Sequence, residues 1–580
     1  MPAFASEAPI VVRSFCVLLI CALSAGRAAG QAPAAGDVAE PAGTALPLYG
    51  TWEVARSRTL TGLGNPFDME AAALEVQVEG PDGQRFDALG FYDGPSAESG
   101  TGIWRARIMP DAPGTWCARL SWSDAAAVAA ARCIDVSADA PPGNHGHVGV
   151  HPDIPTRLVH DDGTLHYWIG GKWFAPHHYV PCDLHDCYSD TQFLEYLDLL
   201  EEYSHNGILV ELALFPLLDD GLTWNLAMLH RAEWLMAEAG RRGIYVQINL
   251  FNTWSRTSGA GLETSTDASR HVLNAWTDSR LAEKRNYLRT AVARFAGFFN
   301  VYWELGNEME HSPNCGACFV ALANRYYLPW LREADPYDLP IGLSEGIWLD
   351  ADVDVGFLHQ ANRLPDPTWQ KPTIMNELVR GGTPPSLGHL WSKGLGEFAT
   401  GIRNYRAPAP GLWADATIRD PWYRYDYRRT FWQVLTSGGS GASEATWLSL
   451  SSPLTDAVVA VMTDHAQLAA FLARVRQDLP RLTPAPDGFE LDGVPGDVTM
   501  LGSPDGPFIA YVAAGHSADL PAGEARLRLP NGTYRVQWLN PRTLEVLEAR
   551  AITVAIGAGA VAVRYPAFRE DIVLLAQPAD

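Results

Sequence analysis

The sequence predicts a multidomain protein, with a (β/α)8 TIM barrel flanked by N-terminal and C-terminal all-β sandwich domains. A chain of 580 residues is too long for a single hydrophobic core. Its central part alternates apolar strands with amphipathic helices, whereas both ends carry short alternating strands separated by turns. The hydrophobic content of 47% and the charged content of 19% are ordinary for globular domains and argue against long disorder.

Residues 1–30 have the pattern of a secretory signal peptide. Arg13 precedes the apolar run 15–23, and small residues at 28–30 supply a cleavage site. The run is shorter than the roughly 20 apolar residues that span a membrane. We therefore expect a secreted or periplasmic protein without membrane insertion after cleavage. An Ala-, Pro- and Gly-rich linker follows at 31–45.

The two flanking sandwiches are predicted at 46–142 and 487–580. Both regions show the period-two alternation of half-buried strands, with turn residues between the strands. The alternating segments are 73–78, 102–108, 508–512, 525–529 and 534–538.

The barrel is predicted between residues 143 and 480, where eight apolar strands are separated by helices. The predicted strands are 173–177, 208–214, 244–249, 301–305, 340–344, 353–357, 373–376 and 445–448. The predicted helices are 191–204, 226–241, 279–298, 318–333 and 456–478. A doubly wound open sheet is the alternative, but no Gly-rich nucleotide loop opens any of these helices.

Six of the eight cysteines remain once the signal peptide is removed. Six thiols allow 15 pairings, and an exported protein favours their oxidation. Sequence proximity suggests the pairs Cys117–Cys133, Cys182–Cys187 and Cys315–Cys318. The third pair has the C-x-x-C spacing of half a metal site or a redox motif, but the chain has no second C-x-x-C, so a loop staple is favoured.

Charge and motif content restrict the partners. The formal net charge of −24 repels nucleic acid and anionic membranes, so we expect neither as a partner. Adjacent His177 and His178 suggest a metal site, but neighbours on a strand face opposite sides and no third ligand has zinc-site spacing. We expect no metal and no cofactor. The oligomeric state is not predicted.

The candidate catalytic residues are Glu308 and Glu377. The apolar run 301–305 gives way to Asn307 and Glu308, and an amide beside a carboxyl group is costly in a core and natural in a site. Barrel sites form at the C-terminal ends of the strands, and strands 4 and 7 lie across the mouth from each other. Glycoside hydrolysis requires such a pair of carboxyl groups.

Other polar and aromatic residues at the strand ends are candidates for substrate binding. These residues are Asn307, His178, Asn252, Trp254, Glu345, His359 and Trp447. Glu345 is also a rival to Glu377 as the second carboxylate. His359 orients Glu377 or a sugar hydroxyl, or is a structural histidine, and Trp447 is a stacking platform or a packing residue.

Two further acidic residues of the same stretch are assigned no catalytic role. Glu304 falls inside the strand, where a buried salt bridge is the better explanation, and Glu310 is expected to face solvent.

The segment Trp-Glu-Leu-Gly-Asn-Glu at 303–308 resembles the strand-4 motif of clan A glycoside hydrolases. More narrowly, the chain resembles apiosidase-like bacterial glycosidases with three modules. Patterns at 65–68, 90–94 and 109–116 are similar to their N-terminal sandwich, and 532–538 to their collagen-binding-like C-terminal β module. The first predicted strand departs from the family, because 174–179 replaces a Gly-x-Thr-x-Trp-like opening.

The resemblance implies a secreted, retaining glycoside hydrolase that cleaves a polysaccharide or oligosaccharide by a two-glutamate double displacement. Glu308 would be the acid/base and Glu377 the nucleophile. The alternative is a non-catalytic carbohydrate-binding or adhesion protein with a degenerate barrel.

Overall fold

The computed structural model describes most of the chain beyond residue 44. The described ranges are 45–71, 73–124, 130–171, 190–211, 220–253, 272–310, 315–344, 346–359, 364–378, 421–444, 456–485, 488–490, 496–515, 517–557 and 559–579. The predicted signal peptide and most of the linker lie outside these ranges.

The N-terminal region forms two antiparallel sheets that pack face to face. Their strands are β1 (Trp52–Thr59), β2 (Leu74–Glu79), β3 (Arg85–Leu89), β4 (Phe91–Pro95), β5 (Thr101–Ile108), β6 (Gly114–Trp122) and β7 (Arg132–Val136). The strand orders are β1-β5-β4 and β3-β2-β6-β7. Trp104 of the first sheet and Trp116 of the second belong to the same buried core. This arrangement agrees with the predicted sandwich.

Two of the three predicted disulfides are present. Cys117 and Cys133 are directly opposite each other on β6 and β7 and are bonded. Cys315 and Cys318 are also bonded, at the start of a helix. The third predicted pair, between residues 182 and 187, lies outside the described residues.

A small antiparallel sheet closes the N-terminal end of the barrel. Its strands are β8 (Val148–Val150), β9 (Leu158–His160) and β10 (Leu165–His166). Val148 and Leu158 pack in one buried cluster with aromatic residues near the starts of barrel strands, including Tyr245 and Tyr302. The floor of the barrel is therefore sealed, and the opposite, C-terminal rim remains for a site.

Eight parallel strands form a closed barrel, as predicted. They are β11 (Trp168–Gly170), β12 (Gly207–Glu211), β13 (Tyr245–Asn252), β14 (Val301–Asn307), β15 (Ile341–Ser344), β16 (Val355–Phe357), β17 (Thr373–Leu378) and β18 (Gly441–Glu444). Pairing of β11 with β18 closes the ring. The predicted strands 2 to 7 overlap β12 to β17.

The first and last barrel strands lie upstream of the predicted positions 173–177 and 445–448, which are outside the described residues. The physical reason is the indole of Trp168, which fills the space between β11 and its neighbours. A Cβ at Gly207 would lie 2.5 Å from this ring, and one at Gly441 would lie closer still to Trp168. Gly207 thus makes room for the ring and Gly441 for the Cβ and backbone of Trp168, and glycine at these positions weakens the strand pattern of the sequence.

The predicted helices lie close to their predicted positions, and one further helix, at 421–436, was not predicted. The helices are α1 (Asp190–Glu202), α2 (Leu226–Gly240), α3 (Leu281–Phe295), α4 (Gly316–Leu322), α5 (Leu328–Ala334), α6 (Pro421–Thr436) and α7 (Asp456–Val475). Short 3-10 turns occur at Pro81–Gly83, Gly346–Asp350, Pro367–Trp369 and Leu479–Arg481.

The helix predicted at 318–333 is present as α4 and α5, which a π turn at Ala323–Tyr327 joins without leaving the right-handed helical conformation. Pro329, which cannot donate a backbone hydrogen bond, accounts for this π turn. Among the described helices, none combines the length and the apolar character required to cross a bilayer.

The C-terminal region is a second all-β module. Its strands are β19 (Thr483–Pro484), β20 (Phe489–Glu490), β21 (Asp497–Gly502), β22 (Phe508–Ala513), β23 (Asp519–Leu520), β24 (Gly523–Leu527), β25 (Gly532–Leu539), β26 (Val546–Val554), β27 (Val561–Tyr565), β28 (Phe568–Arg569) and β29 (Asp571–Pro578). A six-stranded sheet has the order β19-β21-β22-β29-β25-β26, and a three-stranded sheet has the order β20-β24-β27.

A buried arginine connects the barrel to this module. The side chain of Arg428, on α6, is 0% exposed. Its guanidinium donates to Asp571 Oδ2 at 2.7 Å, to Asp464 Oδ2 at 3.0 Å and to Glu570 Oε2 at 3.0 Å. Burial alone would lower the pKa of Arg428, but the surrounding carboxylates raise it. The arginine is therefore charged and paired on both sides of the interface.

We expect Arg428→Met to lower the free energy of unfolding by about 3–5 kcal/mol, because it removes the cation hydrogen-bonded to buried Asp571, whereas Asp464 and Glu570 keep Arg424 and Arg542 as partners. Calorimetric melting of the full chain measures the effect. The control is Arg481→Met, which removes an arginine 62% exposed and paired with Asp478, and should cost less than about 1 kcal/mol. Equal destabilisation by the two variants would contradict the role assigned to Arg428.

Two buried histidines, one just before β12 and the other on α7, form a pair. His205 Nε2 lies 3.1 Å from Nδ1 of His465 on α7. Burial lowers the pKa of His205 to about 4 and the pKa of His465 well below its usual value. Both imidazoles are therefore neutral at pH 7, with one donating to the other.

Acid should destabilise the protein through this pair. In the unfolded chain these histidines take up protons near pH 6.5, whereas folded His205 resists protonation down to about pH 4. The unfolded state thus binds more protons between these values, and stability is lost as the pH falls, by roughly 3 kcal/mol for such a shift. Urea unfolding at pH 7 and pH 4.5 of the wild type and of His465→Gln measures the share of this pair, because burial also lowers the pKa of His147 and of His166. His465→Gln should reduce the pH dependence, and an unchanged dependence would contradict the assignment.

Candidate active site

The candidate catalytic residue Glu308 follows β14 directly, in a left-handed backbone conformation with φ of 53°. Asn307 is the last residue of the strand and is 6% exposed. The Glu308 amide donates to Ser344 Oγ at 2.8 Å, and Thr253 Oγ1 donates to the Glu308 carbonyl at 2.7 Å. The C-terminal ends of β13, β14 and β15 thus meet at this residue.

His359 is the described partner of the Glu308 carboxylate. It follows β16, and its Nδ1 lies 3.4 Å from Glu308 Oε1. The His359 side chain is 3% exposed, whereas that of Glu308 is 17% exposed. The carboxylate therefore reaches from a buried histidine towards the open rim. From the sequence, His359 was expected to orient Glu377 or a sugar hydroxyl, or to be a structural histidine, and the structure places it beside Glu308.

Asn252 and Asn307 occupy the same level of the rim. They end β13 and β14 and are directly paired in the register of these adjacent strands. Asn252 is fully buried. The two amides and Glu308 therefore belong to one polar group at the C-terminal ends of the strands, where the sequence predicted it.

Glu377 lies in β17, between Met375 and Leu378. The pairing of β17 with β18 shifts by one residue between these two positions. The side chain of Glu377 is outside the described part of the structure, as are residues 178, 254, 345 and 447. The roles of His178, Trp254, Glu345 and Trp447 therefore remain predictions.

Sequence reasoning missed a set of buried amides below the rim. Gln247 and Asn249 are 0% exposed, and Asn376 is 3% exposed. Gln247 Nε2 donates to Glu304 Oε2 at 2.9 Å. Glu304 is buried inside the strand, as predicted, and accepts this hydrogen bond. The sequence carried a signal for this polar core, because every second residue of a strand faces the same side. Residues 247 and 249 therefore share the face of the inward-packed Tyr245, and residue 304 shares that of Tyr302.

Glu310 differs from its expected position in solvent. It is half-buried, and its Oε1 accepts a hydrogen bond from the Gly346 amide at 3.2 Å. The carboxylate therefore helps to connect the loop after β14 to the turn after β15.

Within the described ranges, one group of residues has the composition of a metal site: Asp93, His230 and Glu233. It lies between the N-terminal sandwich and the barrel helices α2 and α3. Three arginines already pair with its carboxylates. Ion pairs join Arg105 to Asp93 at 2.6 Å, Arg107 to Glu233 at 2.9 Å and Arg294 to Glu233. A cation bound there would meet three positive charges, so the group is an ion-pair network between domains.

Comparisons with known proteins identify the N-terminal region and the fold. Residues 48–121 match the family described as Domain of unknown function (DUF5060). No curated protein matches the chain. A crystal structure from Bacteroides vulgatus ATCC 8482, of a protein provisionally designated a glycoside hydrolase, is 17% identical. It covers 92% of this chain and 99% of its own, with a TM-score of 0.62.

A second solved structure, described as a glycoside hydrolase, is 13% identical and has a TM-score of 0.51. It covers 76% of this chain and 98% of its own. A glycoside hydrolase family 5 structure from Bacteroides vulgatus ATCC 8482 is also 13% identical, with a TM-score of 0.48 and coverage of 76% and 94%. The first two of these structures show that the chain has a fold that solved glycoside hydrolases adopt.

Proposed function

We propose that the chain is a secreted, retaining glycoside hydrolase that cleaves a polysaccharide or oligosaccharide. The observation that carries the proposal is the Glu308 carboxylate at the C-terminal rim of a closed (β/α)8 barrel, beside His359 and the amides of Asn252 and Asn307. A carboxyl group among amide donors and acceptors suits a neutral, hydroxyl-rich ligand.

Glu308 is the proposed acid/base. An acid catalyst must hold its proton near neutral pH, which partial burial and a second carboxylate promote. With a side chain 17% exposed, Glu308 is partly desolvated and still accessible from the rim. Its proton would pass to the glycosidic oxygen as the leaving alcohol departs, and it would then take a proton from water.

Glu377 is the proposed nucleophile. Ile374 packs in the inner cluster of the barrel and Met375 in the outer core. In an uninterrupted strand this alternation would place residue 377 on the outer face, with Met375. The one-residue shift between Met375 and Leu378 interrupts it. Such irregularities occur at barrel rims, where they re-aim a side chain. The shift supports a role for Glu377 at the mouth.

The substrate class follows from the proposed chemistry and from the resemblance of the flanking modules. The apiosidase-like N-terminal and C-terminal patterns favour a bacterial enzyme that acts on plant or bacterial polysaccharides. Asn307 and Asn252 are the proposed hydroxyl-binding residues among the described positions. His178, Trp254, Glu345 and Trp447 complete the proposed pocket, together with His359.

Hydrolysis of a panel of plant and bacterial polysaccharides tests the proposal. We expect reducing sugar to be released from at least one substrate. NMR of the first-formed product should show the anomeric configuration of the substrate, because two displacements restore it. An inverted first product would overturn the retaining mechanism. Tight binding across the panel without any release of sugar would favour the alternative, a carbohydrate-binding or adhesion protein with a degenerate barrel.

A further inference from the structure

The backbone of Glu308 is strained for an L-residue. A φ of 53° lies in the left-handed region, where a Cβ approaches the following carbonyl oxygen. Such a conformation persists only when its surroundings determine it, and it is frequent at active sites. The described residues around Glu308 indicate what determines it.

Ser344 holds the turn from the neighbouring strand. Its hydroxyl accepts from the Glu308 amide at 2.8 Å and donates to the Gly306 carbonyl at 3.1 Å. Ser344 is the last residue of β15 and is 0% exposed. One buried hydroxyl therefore connects Gly306, near the end of β14, to Glu308, the first residue after the strand.

Thr253 and Trp276 hold the turn from the other side. Thr253, 5% exposed, donates from Oγ1 to the Glu308 carbonyl at 2.7 Å. The Trp276 indole donates to the next carbonyl, that of Met309, at 2.9 Å. The turn also folds back on itself, because a Cβ at Gly306 would lie 2.5 Å from Met309 Cγ. Three side chains from three segments thus fix the backbone of residues 306–309.

We propose that Ser344 and Thr253 are positioning residues, which hold the left-handed turn that directs the Glu308 carboxylate to the leaving oxygen of the substrate. The proposal rests on the function proposed above. Both hydroxyls bind the backbone of Glu308, so they act on its carboxylate only through the turn. Proton transfer depends steeply on position, and a displacement of about 1 Å costs about 100-fold in rate.

The test compares Ser344→Ala and Thr253→Val, which remove a hydroxyl with little change in volume. On the sugar substrate that the wild type hydrolyses, we expect kcat to fall about 10- to 100-fold with KM nearly constant. The loss in kcat/KM should be larger for glycosides with poor leaving groups than for dinitrophenyl glycosides, because only the former need the acid to form the covalent intermediate. Thr253→Ser should restore most of kcat.

The matched control is Thr290→Val, which removes a hydroxyl from a threonine 4% exposed on α3, where Oγ1 contacts the sulfur of Met69. It should lower the melting temperature without changing kcat. If the two test variants lose stability only, or lose rate equally for all leaving groups, the hydroxyls are purely structural and the inference is wrong.

Two parallel variants separate this inference from the proposed function. If Glu308→Gln keeps wild-type activity, the proposed acid/base is wrong, whatever the hydroxyl variants do.

Stability provides a test that needs no substrate. Glu308→Gly should melt about 2 °C above Glu308→Ala, because glycine tolerates positive φ, and this difference should narrow when Ser344→Ala is added. An unchanged difference in the Ser344→Ala background would contradict the role of Ser344.

Discussion

Replacing Glu377 with alanine is expected to reduce hydrolysis by about 10⁴-fold or more. Without the carboxylate no covalent glycosyl-enzyme intermediate forms, and water has no ordered route to the anomeric carbon on that face. Azide should restore part of the turnover, because the small anion fits the space left by the missing carboxylate. The product should be a glycosyl azide of inverted configuration, since one displacement replaces two. NMR of the product measures this configuration.

The control for Glu377 is its rival at the end of β15, Glu345. Glu345→Ala should raise KM or lower kcat without azide rescue, as expected of a substrate-binding residue. If instead Glu345→Ala shows azide rescue and Glu377→Ala hydrolyses substrate like the wild type, the nucleophile assignment passes to Glu345. Wild-type enzyme with azide provides the baseline for both variants.

The sequence was sufficient to predict most of the barrel, because its second to seventh strands are apolar runs between amphipathic helices. The segment 301–305 shows this plainly, since all of its residues are 0% exposed in β14. The first and last strands were misplaced because their packing depends on a contact between distant residues. Trp168 requires glycine at 207 and 441, and glycine-rich segments have no strand pattern of their own.

Part of the candidate site could be predicted in the same way. Asn307 and Glu308 are polar residues at the end of an apolar strand, and their location at the rim follows once the strand is the fourth of a barrel. The left-handed backbone of Glu308 could not be predicted, since glutamate has no preference for positive φ. The hydrogen bonds from Ser344 and Thr253 to the Glu308 backbone could not be predicted either, because they depend on how the ends of three adjacent strands meet.

The interdomain contacts were also beyond prediction. Asp93 and Glu233 are 140 positions apart in sequence, and each could have been read as a surface carboxylate. Their burial at 6% and 7% exposure depends on how the sandwich packs against α2 and α3. Arg294, which contacts both, supplies the charge that makes this burial tolerable.

Glu308→Gln should give the complementary phenotype to Glu377→Ala. Glutamine preserves the shape of the side chain but cannot deliver a proton, so hydrolysis of substrates with poor leaving groups should fall about 10²- to 10⁴-fold. Dinitrophenyl glycosides should still form the covalent intermediate, which then accumulates because no base activates water. Azide should attack this intermediate and give a glycosyl azide of retained configuration.

The two variants together thus distinguish the roles by stereochemistry, since azide traps opposite anomers in the two cases. An inverted azide product from Glu308→Gln, with a retained product from Glu377→Ala, would exchange the two assignments. A loss of kcat/KM by Glu308→Gln that is equal for every leaving group would remove Glu308 from proton transfer. In that case the contact between the carboxylate and His359 Nδ1 at 3.4 Å would indicate a structural pair at the rim.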